Sequence, residues 1–180
     1  VRAGAVKTTR VAPDGTEQVT GFYLPGDLFG LDSLAEQCHT EGATTLSTTS
    51  LCEIRIQDLN TSNLSSGATM AMCSELLEDR NRLIACLTRS ADQRVASLLA
   101  NLAARFIPRG LAGSSSEPPM SPTDIGNYLN LSHETVSRVF TRLEQAGLVS
   151  ANRRQVQIPD PVRLSTFSEQ DGGLVVSKAA

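Results

Sequence analysis

The sequence predicts an α+β chain built in sections. An incomplete antiparallel β-roll covers residues 1–65 and a long dimerisation helix covers 66–89. A connecting helix and loop at 90–120 lead to a C-terminal winged helix-turn-helix at 121–164, and a tail at 165–180 is expected to be mobile. Three observations carry this reading. Short alternating strands separated by Pro, Gly and Asp turns open the chain. Apolar residues then recur at four-three spacing through about twenty residues. Finally, SPTDIGNYLNLSHETVSRVFTRLEQAGLVSANRRQVQI, from Ser121 to Ile158, is punctuated as two short helices and a wing.

Val6 to Val11 alternates like a strand, Pro13-Asp14-Gly15 supplies a turn, and Gln18 to Leu24 answers as its partner. Pro25-Gly26-Asp27 turns the chain again, and Ala43–Ser47 and Ser50–Ile56 read as further strands. The chain begins at Val1, inside this meander and without a signal-peptide pattern, which suggests a fragment. A helix is expected from about Ser66 to Thr88. Met72, Leu76, Asp79, Leu83 and Cys86 follow the spacing of a coiled-coil seam, so a dimer is expected; the alternative is a helix packed on its own β-roll. Ser90 and Gln93 form a capping box for a helix through Phe106, and Pro108 to Pro119 reads as a Gly/Ser/Pro-rich loop.

In the C-terminal part, Ser121 caps a helix that starts at Pro122, and Asp124 suits the positive end of its dipole. Ile125, Tyr128 and Leu129 share one face. Asn130-Leu131 make a tight turn, and Ser132 caps a second helix to about Gln145. Val136, Val139, Phe140 and Leu143 form its buried stripe and Gly147 stops it. Leu148–Val149 and Val156–Ile158 read as two short strands around Asn152-Arg153-Arg154.

The opposite face of that second helix carries the chemistry. Glu134, Ser137 and Arg138 stand at i, i+3 and i+4 near its N-terminus, and Arg142 continues the face one turn later. A major groove admits such a helix. Arg reads guanine bidentately, Glu accepts from cytosine, and Ser adapts. Arg153 and Arg154 on the wing are placed to meet phosphates. The alternative is a helical hairpin with a solvated charged face.

Composition sets the remaining bounds. The 180 residues are 40% hydrophobic, enough to bury a core, and no run approaches the ~20 apolar residues of a membrane span, so a cytoplasmic protein with no membrane partner is expected. The net charge is −3, but unevenly spread. Residues 121–164 hold five basic against four acidic side chains, whereas residues 1–120 hold ten against thirteen. This favours base-specific over broad non-specific nucleic-acid binding. His39 and His133 are the two histidines, neither in a metal or nucleophile motif. With no Gly-rich phosphate loop, an enzyme is not expected. Cys38, Cys52, Cys73 and Cys86 lack CxxC spacing, which excludes a zinc ribbon.

GFYLPGDLFGLDSL with LCEI downstream, and DIGNYLNLSHETVSRVFTRLEQAGL, resemble the FNR–CRP family of bacterial transcription regulators, in its oxygen-sensing FNR branch. The resemblance implies a β-roll of the cyclic-nucleotide-binding-like kind. It further implies that Glu134, Ser137 and Arg138 contact TTGAT half-sites of an inverted repeat, the chain acting as a homodimer. By the same resemblance Cys52 is a ligand of a [4Fe–4S] cluster in the full-length protein. The other three ligands would lie upstream of Val1, so no cofactor is expected in the fragment. The alternative for Cys52 is a small buried core residue. Glu36 to Leu46 contains no Arg or Lys to match a buried phosphate, which argues against cyclic AMP. Acidic seam residues keep apo members of the branch monomeric. Two facing copies of Asp79 at ~5 Å would repel by about 3 kcal/mol at an effective dielectric of ~20. Gly15, Thr48 and the Arg109–Met120 loop lie where family members touch RNA polymerase. A haem- or thiol-based sensor of the same family and a winged-helix protein-interaction module remain as alternatives.

Overall fold

A computed structural model describes residues 1–36, 38–55, 57–58, 62–106, 120–152 and 155–169. The chain divides into two compact units, Val1–Arg82 and Leu83–Ala180.

The first unit is built on a three-stranded antiparallel sheet. β1 (Val6–Val11) is central, flanked by β2 (Glu17–Tyr23) and β3 (Gly42–Thr45). The β1–β2 turn is closed by Gly15 at φ 83°, where the amide of Thr16 donates to Asp14 Oδ1 at 2.9 Å. That bond holds the Asp14 carboxyl below its ordinary value. Thr8 pairs with Gly21 and Thr9 with Val19, so Thr20 is an extra residue in β2. This bulge sets the Thr20 hydroxyl 2.7 Å from that of Thr8. Val6, Val19, Phe22, Tyr23 and Leu24 are buried.

Two sequence expectations change here. Ser50–Ile56 does not continue the sheet as a strand: Ser50 makes a single bridge to Ala3, and residues 51–55 are exposed. Ile56 lies outside the described residues. A short helix, α1 (Asp32–Glu36), stands where the sequence suggests none. Asp32, its first residue, accepts from the Thr40 amide at 2.6 Å and contacts His39 Nδ1 at 3.1 Å. Burial pushes its pKa up, but these bonds outweigh it and the net shift is downward.

α2 (Ser62–Thr88) begins four residues earlier than the sequence pattern indicates. At about 100° per residue, Ala68, Ala71, Glu75 and Arg82 fall along its inward stripe. Tyr23 donates its hydroxyl proton to Glu75 at 2.5 Å, joining β2 to α2. Burial, with the Glu75 carboxylate beside it, moves the Tyr23 pKa upward; burial, with Asp79, Glu41 and Glu78 nearby, moves that of Glu75 upward against the Tyr23 bond.

The second unit is helical. α3 (Ala91–Phe106) buries Val95, Ala96, Leu99 and Leu102 against α4 (Pro122–Leu129), α5 (His133–Gln145) and α6 (Pro161–Glu169). The Ser90–Gln93 capping box forms as the sequence indicates, with amide-to-side-chain bonds of 2.8 and 3.3 Å. β4 (Ser150–Asn152) and β5 (Gln155–Gln157) pair as an antiparallel wing. Leu148 and Val149, expected in the first wing strand, are instead buried in the core, and the strand starts after them.

The tail expectation is overturned for residues 165–169. α6 packs along α3 with Leu164 and Ser168 buried, so the winged domain extends past residue 164. Asp160 accepts from the Arg163 amide at 2.9 Å, and Pro161 sits next at the first helical position. Residues 170–180 and the 107–119 part of the expected loop lie outside the described residues. Among the described residues, no helix is long and apolar enough to cross a membrane.

Candidate nucleic-acid interface

The reader is assembled by two helix-ending turns. Ser121 and Asp124 form a reciprocal capping box on α4, with Asp124 N donating to Ser121 Oγ at 3.0 Å. At the other end Asn130 sits at φ 54°, ψ 51°, the left-handed region where Asn is tolerated because its short polar side chain bonds locally. Leu131 N then donates to Gly126 O at 2.8 Å, which turns the chain sharply into α5. Gly126 is required at that point, because a Cβ there would stand 2.6 Å from Leu131 O.

Ser132 caps α5 by accepting from the Thr135 amide at 3.2 Å. Val136, Val139 and Leu143 are fully buried and pin one face of the helix, with Phe140 half-buried beside them. Gly147 at φ 66° ends α5: its amide donates to Glu144 O and that of Leu148 to Leu143 O, both at 2.9 Å. Arg163 of α6 reaches the Ala146 carbonyl at 3.5 Å and places a cation at the negative end of α5.

The outward face holds Glu134, Ser137 and Arg138, all exposed. Arg138 Nε lies 3.4 Å from Glu134 O, a long bond that aligns the side chain along the helix. Arg142 departs from the expected face. Its Nε and Nη2 donate to Asp92 Oδ1 of α3 at 3.0 and 2.6 Å, so it belongs to the packing of α5 on α3. The sequence does not single out Asp92, and nothing local to α5 announces a partner fifty residues away. Arg153 and Arg154 lie outside the described residues.

Two regions of the chain match known domain families: residues 1–61 a cyclic nucleotide-binding domain and residues 93–167 a Crp-like helix-turn-helix domain. The transcriptional activator protein Anr of Pseudomonas protegens is 40% identical over 173 residues, covering 93% of this chain and 71% of that protein. The chain belongs to the Crp/FNR family. The fumarate and nitrate reduction regulatory protein of Salmonella typhimurium is 31% identical over 93% of the chain and 69% of its own length. Among solved structures, FixK2 from Bradyrhizobium japonicum superposes with a TM-score of 0.75 at 26% identity, over 96% of this chain and 87% of that one. The α+β architecture with a C-terminal DNA-binding helix-turn-helix is therefore that of this family, and the protein is a transcription regulator rather than an enzyme.

The remaining expected site residues lie elsewhere. Met72, Leu76 and Leu83 of the seam are exposed, at 43%, 71% and 61%. Asp79 pairs with Arg82 at 3.0 Å, and the Cys86 thiol points to Leu129 O at 3.7 Å. The exposed apolar face is thus rotated away from Asp79 and Cys86, and runs through Cys73, Leu76, Leu83 and Leu87 with Leu77 and Ile84 beside it. Cys52 is exposed, which removes the buried-core alternative for it. Cys38 and Cys73 are exposed as well, and among the described residues no three metal-ligating side chains come together. The described residues do not by themselves fit a four-iron cluster. Gly15 and Thr48 are both on the surface.

Proposed function

We propose that this regulator binds inverted repeats of TTGAT-type half-sites as a homodimer and changes transcription in response to oxygen or redox state. The observation that carries the reading is the exposed Glu134–Ser137–Arg138 face on a helix fixed by two tight turns and a buried stripe. Arg138 reads guanine, Glu134 accepts from cytosine, and Ser137 adapts between them. Pairing through the exposed apolar face of α2 presents two such helices to the two half-sites. The redox response is supported by the relatives named for anaerobic and electron-transport regulation, an anaerobic regulatory protein of Pasteurella multocida and the electron transport regulator A of Shewanella oneidensis.

Cys52 is offered as one thiolate ligand of a [4Fe–4S] cluster, with further ligands drawn from outside the described residues. Asp79 then has a smaller part than facing carboxylates would give it, because Arg82 pairs with it on its own helix. Gly15 and Thr48 offer exposed contacts for RNA polymerase. Absence of Lys and Arg between Glu36 and Leu46 argues against cyclic AMP as effector.

The test is a titration against a duplex carrying TTGAT–N4–ATCAA and one with both half-site guanine pairs swapped, at two salt concentrations. Tight binding that the swap abolishes supports the reading, and Arg138→Ala should then cost about 1–3 kcal/mol on the matched duplex. Equal, salt-sensitive affinity for both duplexes would overturn it in favour of a protein-docking winged helix.

A further inference from the structure

The first turn of α3 is a junction. Arg94, in that turn, donates from Nη2 to Cys86 O at 2.7 Å and from Nε to Arg89 O at 3.0 Å, and so holds the terminal carbonyls of α2. The capping box of Ser90 and Gln93 fixes the chain between the two helices. Two residues before Arg94, Asp92 takes both donors of Arg142 on α5. The pair is well shielded, with side chains 15% and 34% exposed, and stands beside the fully buried Val95, Val139 and Leu143. One helical turn therefore grips the end of α2 with one side chain and the reading helix with another.

An Arg whose Nε and Nη2 both donate to a single carboxylate oxygen belongs to a neutral pair. A phosphate or guanine contact would have to compete with Asp92 for its charge, and the Nε–Nη2 edge is already taken. We propose that Arg142 is a positioning residue: its ion pair with Asp92 sets the angle of α5 relative to the α2–α3 junction, and Arg142 touches neither base nor phosphate. The proposal rests on the reading of α5 as the recognition helix.

Asp92→Asn separates the possibilities by sign. If Arg142 contacted DNA, removing Asp92's charge would release a competitor and tighten binding. If it positions α5, the same change weakens matched-duplex binding about tenfold and leaves the swapped duplex within twofold. Arg142→Gln should do likewise and keep the slope of log affinity against log salt, whereas loss of a phosphate contact would lower that slope by about 0.9 per chain. The charge swap Asp92→Arg with Arg142→Asp should recover affinity to within threefold of the parent.

All titrations use the full chain, with affinities referred to the active fraction measured by stoichiometric binding, so partial unfolding changes amplitude and not Kd. Should Asp92→Asn not fold, Asp92→Glu replaces it: positioning expects weaker matched binding, and a DNA contact expects none. Tightening by Asp92→Asn, a lowered salt slope for Arg142→Gln, or a charge swap no better than the worse single variant each overturns the proposal. Failure of the unsubstituted chain to discriminate the duplexes is a different result, and it overturns the DNA reading itself.

Discussion

Gly126→Ala should damage this protein although alanine is the better helix former. In an exposed helix interior the exchange gains up to about 1 kcal/mol. At Gly126 the new methyl carbon would sit 2.6 Å from Leu131 O, 3.4 Å from Val136 Cγ2 and 3.6 Å from His133 N. A carbonyl oxygen in a tight turn cannot swing aside as a side chain can. The turn must open by about 0.8 Å to reach ordinary contact, which begins near 3.4 Å between carbon and oxygen. Opening it weakens the 2.8 Å bond from Leu131 N to Gly126 O, worth about 0.5–1.5 kcal/mol net. Overpacking adds about 1–3 kcal/mol. The clash wins, and we expect a net loss of about 1–3 kcal/mol together with weaker discrimination of matched DNA, because the turn sets α5 against α4. Gly67→Ala in α2 is the control: among the described residues nothing lies within 4 Å of its Cβ position, so it should gain about 0.5–1 kcal/mol. Urea unfolding followed by circular dichroism measures both. A Gly126→Ala protein as stable as Gly67→Ala would refute the argument that the helix-turn-helix needs a bare backbone there.

Leu164→Ala should destabilise the second unit by about 2–5 kcal/mol, since Leu164 is fully buried under α3, and thermal unfolding would show it. Glu75 gives a pH signature in the first unit. Its pKa is raised above the ordinary 4.5 by burial, so it contributes stability below that value and loses it as the pH rises through the raised one. Unfolding midpoints taken from neutral pH downward should therefore show a gain that Glu75→Gln flattens; an unchanged profile would sink the assignment. Leu76→Glu and Leu83→Glu should each shift sedimentation toward monomer, while Asp79→Ala should shift it little, because Asp79 is already paired.

What the sequence made legible was local. Caps, turns and buried stripes of α4 and α5 depend on neighbours three or four residues away, and Ser121, Asn130, Ser132 and Gly147 announce them by residue type alone. The shared exposure of Glu134, Ser137 and Arg138 follows from the same helical period. What escaped depends on distant partners. The ion pair of Arg142 with Asp92, fifty residues apart in sequence, is one such case. The exposed face of α2 is offset from the four-three seam, and the bond that turns Glu75 inward comes from Tyr23, fifty-two residues away. α6 is a different case: Asp160, Pro161 and the spacing of Leu164 and Phe167 are ordinary helix signals, outweighed by the polar, glycine-bearing stretch beyond Leu164 that reads as a tail.

The bare leucines of α2 also bear on gene dosage. Below the dissociation constant for pairing through that face, the population able to span both half-sites varies as the square of the chain concentration. Halving synthesis would then leave a quarter of the two-headed species, while each reading head keeps its own affinity for its half-site. Promoter output would respond to expression level more steeply than a single-headed reader allows, and that steepness would be set by Leu76, Leu83 and Leu87.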